Sequence, residues 1–171
     1  CREAEESGSG AKLAWIRFPR VSNSQDSQPW QRDTGIRTCW VTTPEELAEA
    51  RAIILPGSKN TLQDLEWLRQ TGLAAAIQQA ARRGVPIVGI CGGYQMLGQS
   101  LSDPNGYAGL AGNVPGLGLL PIATEFITRK EVRQVNAIAP ALTCQFSTHQ
   151  AKAETWQAYE IHMGQTVHSD M

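Results

Sequence analysis

The sequence has no long apolar run and no excess of either charge. None of its hydrophobic stretches approaches the roughly 20 residues needed to cross a bilayer. Its 15 Lys and Arg residues nearly balance its 16 Asp and Glu residues, and the two signs are interspersed along the chain. No basic face for nucleic acid or anionic lipid is therefore expected. The polar N-terminal segment does not resemble a signal peptide. We predict a cytoplasmic protein that binds neither nucleic acid nor membrane.

Cysteine and histidine are also scarce. The four cysteines, at positions 1, 39, 91 and 144, form no CxxC pair and show no metal-like spacing with the three histidines. A disulfide framework is therefore not expected, and no metal site is predicted. Cys39 and Cys144 are interpreted as small buried hydrophobic residues, as isolated cysteines in a reducing compartment usually are. Cys91 has a different setting.

Short apolar segments alternate with helical segments through the first hundred residues. The segments "KLAWIRFP", "IRTCWVT", "AIILP" and "VPIVGI" have strand character, and the segments that follow the last two have helical spacing. This alternation favours an α/β fold, namely a doubly wound, mainly parallel, flavodoxin-like sheet with helices on both faces. At 171 residues the chain fits one domain at 11–171, preceded by a polar linker tail at 1–10.

Several further elements follow from local patterns. The polar stretch "RVSNSQDSQPWQRDTG" predicts a surface loop, and "PEELAEA" a helical turn that begins at Pro44. The apolar spacing in "TLQDLEWLRQTGLAAAIQQAARRG" predicts two helices, or one interrupted near Gly72. A helix is predicted over "GGYQMLGQSL" and a short strand over 117–120. The segments "ATEFITRKEVRQVNAIAPAL", "CQFSTH" and "QAYEIHMGQ" are predicted to be β segments with antiparallel pairing.

Cys91 lies where an apolar strand gives way to a helix. Ligands of open α/β sheets bind at the carboxyl ends of the strands. Gly89, Gly92 and Gly93 surround the cysteine, and a sharp strand-to-helix turn needs such residues. A helix N-terminus favours the thiolate, and the N–H of Gly92 points to where an oxyanion would form. The pattern favours a nucleophile; the alternative is a thiol packed beneath the helix, with glycines that only permit close contact.

A second strand-to-helix turn, "AIILPGSKNT", is predicted at the same edge of the sheet. The N–H groups of Gly57 and Ser58 would supply the other half of an oxyanion hole. The following helix would be capped by Asn60 or Thr61, with Asp64 placed as in a capping box. The alternative is an ordinary turn. The segment lacks the spacing of a phosphate-binding loop, so no nucleotide is expected here.

Five segments together resemble the glutamine amidotransferase domain of the cobyric acid synthases, a class I, or triad-type, family: "FPRVSNSQD", "ILPGSKNTLQDLEWLR", "GICGGYQMLG", "GLGLLP" and "YEIHMGQT". They span most of the chain in the expected order. The resemblance implies that Cys91 attacks the side-chain amide of glutamine, giving a glutamyl thioester and ammonia, and that water then releases glutamate. It also implies that Gln95 contacts the bound glutamine, with Gly57 and Gly92 as oxyanion donors; the alternative for Gln95 is a solvated helix residue.

The resemblance also implies a partner. In the family, ammonia passes to an ATP-dependent amide ligase domain that amidates adenosylcobyrinic acid a,c-diamide in cobalamin biosynthesis. ATP and Mg would bind that domain, and no cofactor is expected in the domain described here. The ligase domain is not in the sequence, and the chain stops soon after "YEIHMG". We therefore expect that the amidotransferase domain is truncated at its C-terminus.

The catalytic base is the least determined residue. His162 alternates with Glu160 in "AYEIHMG", so that a histidine and a supporting carboxylate would share one face of a strand. The family places its catalytic histidine in a later "GTYLHG"-like segment, which this sequence lacks. His162 is therefore either the base or a supporting residue, and little glutaminase activity is expected from the chain alone. His149 is interpreted as a surface residue and His168 as part of a mobile end.

Three other functions remain open. The chain would also fit the glutaminase subunit of another amidotransferase, such as one that amidates a peptidoglycan precursor, although the combined "LPGSKNT" and "YEIHMG" pattern is not expected there. A non-catalytic α/β module would keep the fold without turnover. A cysteine hydrolase that does not use glutamine would share the turn at Cys91 but not the wider pattern.

Overall fold

The computed structural model of the chain describes residues 10–107, 111–139 and 154–168. Within these ranges the chain forms β-strands, α-helices and two short 3₁₀ turns, at Ser24–Ser27 and Pro44–Leu47. The strands are β1 (Ala11–Ile16), β2 (Ile36–Val41), β3 (Ala52–Leu55), β4 (Ile87–Gly89), β5 (Ser100–Asp103), β6 (Gly112–Pro115), β7 (Ile122–Ala139) and β8 (Glu154–His168). The helices are α1 (Gln28–Gln31), α2 (Thr61–Gln70), α3 (Leu73–Arg82) and α4 (Gly92–Met96).

The first four strands form one parallel sheet in the order β2-β1-β3-β4. The carboxyl ends of β3 and β4 therefore lie side by side, with Leu55 paired to Gly89. Parallel strands need a crossover connection, and the helices α2 and α3 supply it between β3 and β4. The predicted α/β class with a mainly parallel sheet is confirmed.

The main hydrophobic core lies between this sheet and the longer helices. Ala14, Ile16, Ile53 and Leu55 alternate with residues of the opposite face, so they point toward the helices. The leucine residues of α2, whose spacing predicted this helix, are buried in the same core cluster. The opposite face of the sheet carries a smaller hydrophobic cluster of Leu13, Trp15 and Ile54. Partly buried hydrophobic residues, among them Trp40, pack against this cluster.

The helices α2 and α3 are separated at Gly72, as the sequence pattern predicts. Gly72 adopts a left-handed conformation with φ of 78°, which a residue without a Cβ accepts at little cost. The helix α2 begins at Thr61 because the Asn60 side chain accepts a hydrogen bond from the N–H of Gln63, at 3.1 Å. The cap is thus Asn60, and the capping box predicted from Thr61 and Asp64 is wrong.

A second, mixed sheet follows α4 in the order β6-β5-β7-β8. The strands β5 and β7 run parallel, whereas β6 and β8 run antiparallel to their neighbours. The predicted antiparallel pairing is confirmed for β7 with β8, while "CQFSTH" lies outside the described residues. The helix predicted over "GGYQMLGQSL" is too long, because α4 ends at Met96 and β5 begins at Ser100.

The strand predicted at 117–120 is also wrong. The backbone N–H groups of Leu117 and Leu119 donate to the carbonyls of Met96 and Leu97, at 2.8 Å each. The last carbonyl groups of a helix have no hydrogen-bond partner within the helix. At the end of α4, this segment supplies the donors for them. The neighbouring strand is instead β6.

Three other expectations need correction. The polar stretch predicted as a loop contains the 3₁₀ turn Ser24–Ser27 and the short helix α1, because Asn23 accepts from the N–H of Gln25 and Pro29 fits the first helical turn. Cys39 is fully buried, as expected, but it is disulfide-bonded rather than a free thiol. His168 is not in a mobile end, because it lies in β8 opposite Ile122.

Candidate active site

Cys91 occupies a strained turn between β4 and α4. It is the N-cap residue of α4 and has φ of 51° and ψ of −113°. Such a conformation is unfavourable for a residue with a Cβ, and it is typical of a nucleophile held on a sharp strand-to-helix turn. The residue is exposed to solvent. The alternative of a thiol buried beneath the helix is therefore wrong.

Backbone packing explains the glycines on either side of this turn. A Cβ on Gly89 would lie 2.5 Å from both the Cα and the N of Tyr94. A Cβ on Gly93 would overlap the carbonyl oxygen of Leu55 and lie 2.7 Å from that of Pro56. The first turn of α4 thus rests directly on the end of β3, and this contact brings the two strand-to-helix turns together.

Gly57, Ser58 and Gly92 surround Cys91. A Cβ built on Gly57 would lie 3.8 Å from the Cβ of Cys91, and one built on Gly92 would lie 3.2 Å from the backbone N of Ser58. Within the part of the chain that the structure describes, no backbone hydrogen bond uses the N–H of Gly57, Ser58 or Gly92. Backbone N–H groups near a nucleophile can serve as the donors that an oxyanion needs, and this role for Gly57, Ser58 and Gly92 stays a prediction.

Gln95 lies one turn into α4, and its own backbone N–H donates to the carbonyl of Cys91 at 3.1 Å. Its side chain is 9 % exposed, so it is not the solvated helix residue considered as the alternative. The amide nitrogen of Gln95 lies 3.0 Å from the point where a Cβ on Gly164 of β8 would be. A largely buried amide on the same short helix as Cys91 is suited to bind a polar substrate, and contact with glutamine stays a prediction.

The two remaining predicted site residues lie in β8. Glu160 is partly buried and pairs with Arg133 of β7, and His162 pairs with Glu131. His162 is two residues from Gly164, the residue that contacts Gln95. The second sheet thus approaches α4 near the site, and the roles of His162 as base and Glu160 as its support stay predictions. His149 lies outside the described residues.

Sequence reasoning missed a buried carboxylate behind the site. The Asp64 side chain is fully buried, and its Oδ2 accepts a hydrogen bond from Ser58 Oγ at 2.5 Å. Burial raises the pKa of Asp64, while the hydrogen bond from Ser58 and the charge of Arg20 oppose that change. The available signal was an acidic residue between the core leucines of α2, a position where a charge is rarely tolerated without a partner.

Two negative findings concern the same described ranges, 10–107, 111–139 and 154–168. No three of their His, Cys, Asp and Glu side chains are grouped as a metal site would require. None of their helices has the length and apolar character needed to traverse a membrane.

An exposed cysteine on a strained strand-to-helix turn, beside a second such turn at the carboxyl edge of a parallel sheet, fits the fold of a class I type glutamine amidotransferase domain. Two solved structures share the fold. One, described as a glutamine amidotransferase, has a TM-score of 0.58 and 15 % identity, and covers 88 % of this chain and 70 % of its own. PurLQS from Thermotoga maritima has a TM-score of 0.66 and 20 % identity, with 95 % and 71 % covered.

The chain belongs to the CobB/CobQ-like glutamine amidotransferase domain family, whose model matches residues 12–171. Among curated proteins, the cobyric acid synthase of Deinococcus radiodurans is 49 % identical over 158 residues, which is 90 % of this chain and 30 % of that protein. The cobyric acid synthase of Variovorax paradoxus is 45 % identical, with 93 % and 32 % covered. The chain thus spans about a third of the length of these relatives.

Proposed function

We propose that this domain hydrolyses glutamine through a thioester at Cys91 and supplies the ammonia to a cobyric acid synthase reaction. The observation that carries the proposal is the exposed Cys91 at a strained turn close to Gly57 and Gly92; in the described part of the chain, no backbone hydrogen bond uses the N–H of Gly57, Ser58 or Gly92. Family membership supports glutamine as the amide donor. The names of the curated relatives support a cobyric acid synthase reaction in cobalamin biosynthesis. The family resemblance of the sequence implies adenosylcobyrinic acid a,c-diamide as the final acceptor.

The first step is attack of the Cys91 thiolate on the side-chain amide carbon of glutamine. The carbonyl π electrons move to oxygen, and the N–H groups of Gly57, Ser58 and Gly92 stabilise the resulting oxyanion. Loss of one such donor costs about 2.7–4 kcal/mol in a protease. When the oxyanion collapses, the C–N bond breaks, the nitrogen takes a proton and ammonia leaves. Water then adds to the thioester, releasing glutamate and restoring the thiol.

A base must accept the thiol proton and later return a proton to the leaving nitrogen. His162 is proposed for this task, with Glu160 as the carboxylate that orients it, because both lie in the strand that reaches Gln95 through Gly164. A supporting role for His162 is the second possibility carried from the sequence. Ammonia release by the chain and by its His162→Ala variant separates the two. Robust turnover that the substitution abolishes would support His162 as the base, whereas little turnover by the unsubstituted chain, as expected for a truncated domain, would favour the supporting role.

The ammonia acceptor requires a second catalytic unit. The curated relatives are about three times as long as this chain, and the remainder of such a protein is proposed to be an ATP-dependent amide ligase. ATP and Mg²⁺ would bind there, and glutamine is the substrate proposed for the present domain, with no cofactor. A biosynthetic enzyme of this kind is proposed to act in the cytoplasm.

The test is labelling of Cys91 by a chloroketone analogue of glutamine. The sulfur forms a bond to the chloromethyl carbon and chloride leaves. We expect labelling at Cys91 that free glutamine suppresses, with glutamate less effective and with Cys91→Ala unlabelled. A scaffold module, or a hydrolase specific for another substrate, would gain no protection from glutamine. That result would overturn the proposal.

A further inference from the structure

The loop that carries Gly57 and Ser58 is held from one side by the segment that follows β1. The N–H of Ser22 donates to the carbonyl of Gly57 at 2.9 Å, and the N–H of Lys59 donates to the carbonyl of Arg20 at 2.9 Å. A Cβ on Gly57 would collide with Ser22 Oγ, so the two backbones are in close contact. The segment after β1 is therefore tied to this loop by two backbone hydrogen bonds.

The side chain of Ser58 fixes the loop from the other side. Its Oγ accepts the N–H of Asn60 at 3.0 Å and donates to Asp64 Oδ2 at 2.5 Å. With both hydrogen bonds made, rotation of the Ser58 side chain is restricted, and the hydroxyl ties the turn to α2. The backbone N–H of the same residue is one of the three proposed oxyanion donors, and no described backbone hydrogen bond uses it.

Asp64 is a costly residue for this position. Its side chain is fully buried on α2 among core leucines, and burial raises its pKa. Its second oxygen, Oδ1, lies 3.9 Å from Nη1 of Arg20 and has no well-aligned hydrogen-bond donor among the described residues, although the backbone N–H of Arg20 also acts to lower the pKa of this carboxyl group. An apolar residue would pack here without the desolvation penalty of a carboxyl group. Core packing alone therefore does not explain the carboxyl group.

We propose that Asp64 is a positioning residue for glutamine hydrolysis, which holds the N–H groups of Gly57 and Ser58 toward the oxyanion through the Ser58 hydroxyl. Arg20 helps to hold this loop in two ways. Its backbone carbonyl accepts the N–H of Lys59, and its guanidinium lies beside the Asp64 carboxylate. The inference rests on the proposed function, since it assigns the loop to the oxyanion of that reaction. Asp64 does not touch the substrate and acts only through Ser58.

The test compares two electrophiles that react with the same sulfur. A chloroketone analogue of glutamine gains from an oxyanion hole, because the sulfur first adds to its carbonyl carbon and forms an oxyanion. The same sulfur then displaces chloride from the adjacent CH2 carbon, and its bond to the former carbonyl carbon breaks as the C=O re-forms. Iodoacetamide reacts by direct displacement of iodide and forms no oxyanion. The ratio of the two rate constants at Cys91 therefore measures how well the loop stabilises the oxyanion. A change in the exposure or the pKa of the thiol would alter both rate constants together.

We expect Asp64→Ala to lower this ratio about tenfold or more, because small misplacements of catalytic groups have effects of this size. Ser58→Ala should lower it similarly, since it removes the same link while leaving the core intact. Asp64→Asn keeps an acceptor for the Ser58 hydroxyl and should retain most of the ratio. Asp103→Asn is the matched control, because Asp103 is also fully buried but accepts the N–H of Tyr107 instead.

Two results would overturn the inference. One is an unchanged ratio in Ser58→Ala and in folded Asp64→Ala. The other is an equal loss of both rates in the Asp64 and Asp103 variants, which would mean that Asp64 is only structural. If Asp64→Ala does not fold, Ser58→Ala decides. Failure of the proposed function would look different, since the unsubstituted chain would then show no glutamine protection of Cys91 at all.

Discussion

Substitution of Gly93 by alanine tests how α4 is seated on β3. The added Cβ would overlap the carbonyl oxygen of Leu55 and lie 2.6 Å from its carbonyl carbon and 2.7 Å from the oxygen of Pro56. All of these atoms are backbone, so no side chain can rotate away. Carbon atoms pack at about 3.5–4.0 Å, and the start of α4 must therefore move by about 1 Å.

The expected cost follows from this displacement. Overpacking a core costs about 1–3 kcal/mol of stability. Because the atoms that the new Cβ would meet are backbone atoms, which cannot rotate away, we expect a cost of about 3 kcal/mol for Gly93→Ala. Alanine is the better helix former by about 1 kcal/mol, which leaves a net loss of about 2 kcal/mol in the free energy of unfolding. The displacement should also remove the preference of Cys91 for the chloroketone over iodoacetamide.

Urea denaturation followed by circular dichroism measures the loss. Gly35→Ala is the control, because a Cβ there would meet only Asp33 Oδ1, at 3.2 Å, and its effect should stay within about 0.5 kcal/mol. If Gly93→Ala is as stable as Gly35→Ala and keeps the labelling preference, α4 is not seated on β3 as described.

Three further predictions concern strain, capping and pH. Cys91→Gly should be more stable than Cys91→Ala by about 1 kcal/mol in thermal or urea unfolding, because glycine relieves the strain at φ of 51° at a smaller entropic cost; equal stability would argue against the strained turn. Glu46→Ala should lose about 1 kcal/mol by the same assay, because Glu46 accepts the N–H groups of Thr42 and Thr43 at 2.7 and 3.2 Å. Because burial raises the pKa of Asp64 above its ordinary 3.8, the folded chain loses stability as pH rises through the window from 3.8 to the raised value. The stability of Asp64→Asn relative to the unsubstituted chain should therefore increase with pH across that window, and a difference that is independent of pH would contradict the shift.

Much of the first sheet could be predicted, because each strand is a short apolar segment bounded by polar or glycine-rich turns. The turn at Cys91 was also predictable, since Gly89, Gly92 and Gly93 have no other local reason to cluster. The end of α4 was not, because Leu97 and Leu101 continue a helical spacing. Tertiary contacts override this spacing, because Leu101 belongs to β5 and pairs with Val114 of β6.

The positioning cluster was beyond sequence reasoning for a different reason. Asp64 stands three residues after Thr61, which imitates a capping box, and its true partner Ser58 lies six residues away across a turn. Local spacing rules do not cover such a distance. The pairing of Arg20 with the same carboxylate depends on how the segment after β1 folds over the site.

The central claim is that the sulfur of Cys91 forms a covalent bond to the carbon of the glutamine side-chain carbonyl. The most direct measurement is mass spectrometry of the chain after incubation with saturating glutamine and rapid acid quenching. The account predicts a glutamyl adduct on the peptide that contains Cys91, removed by hydroxylamine and absent from Cys91→Ala. No adduct on that peptide, or ammonia release that survives Cys91→Ala, would contradict it.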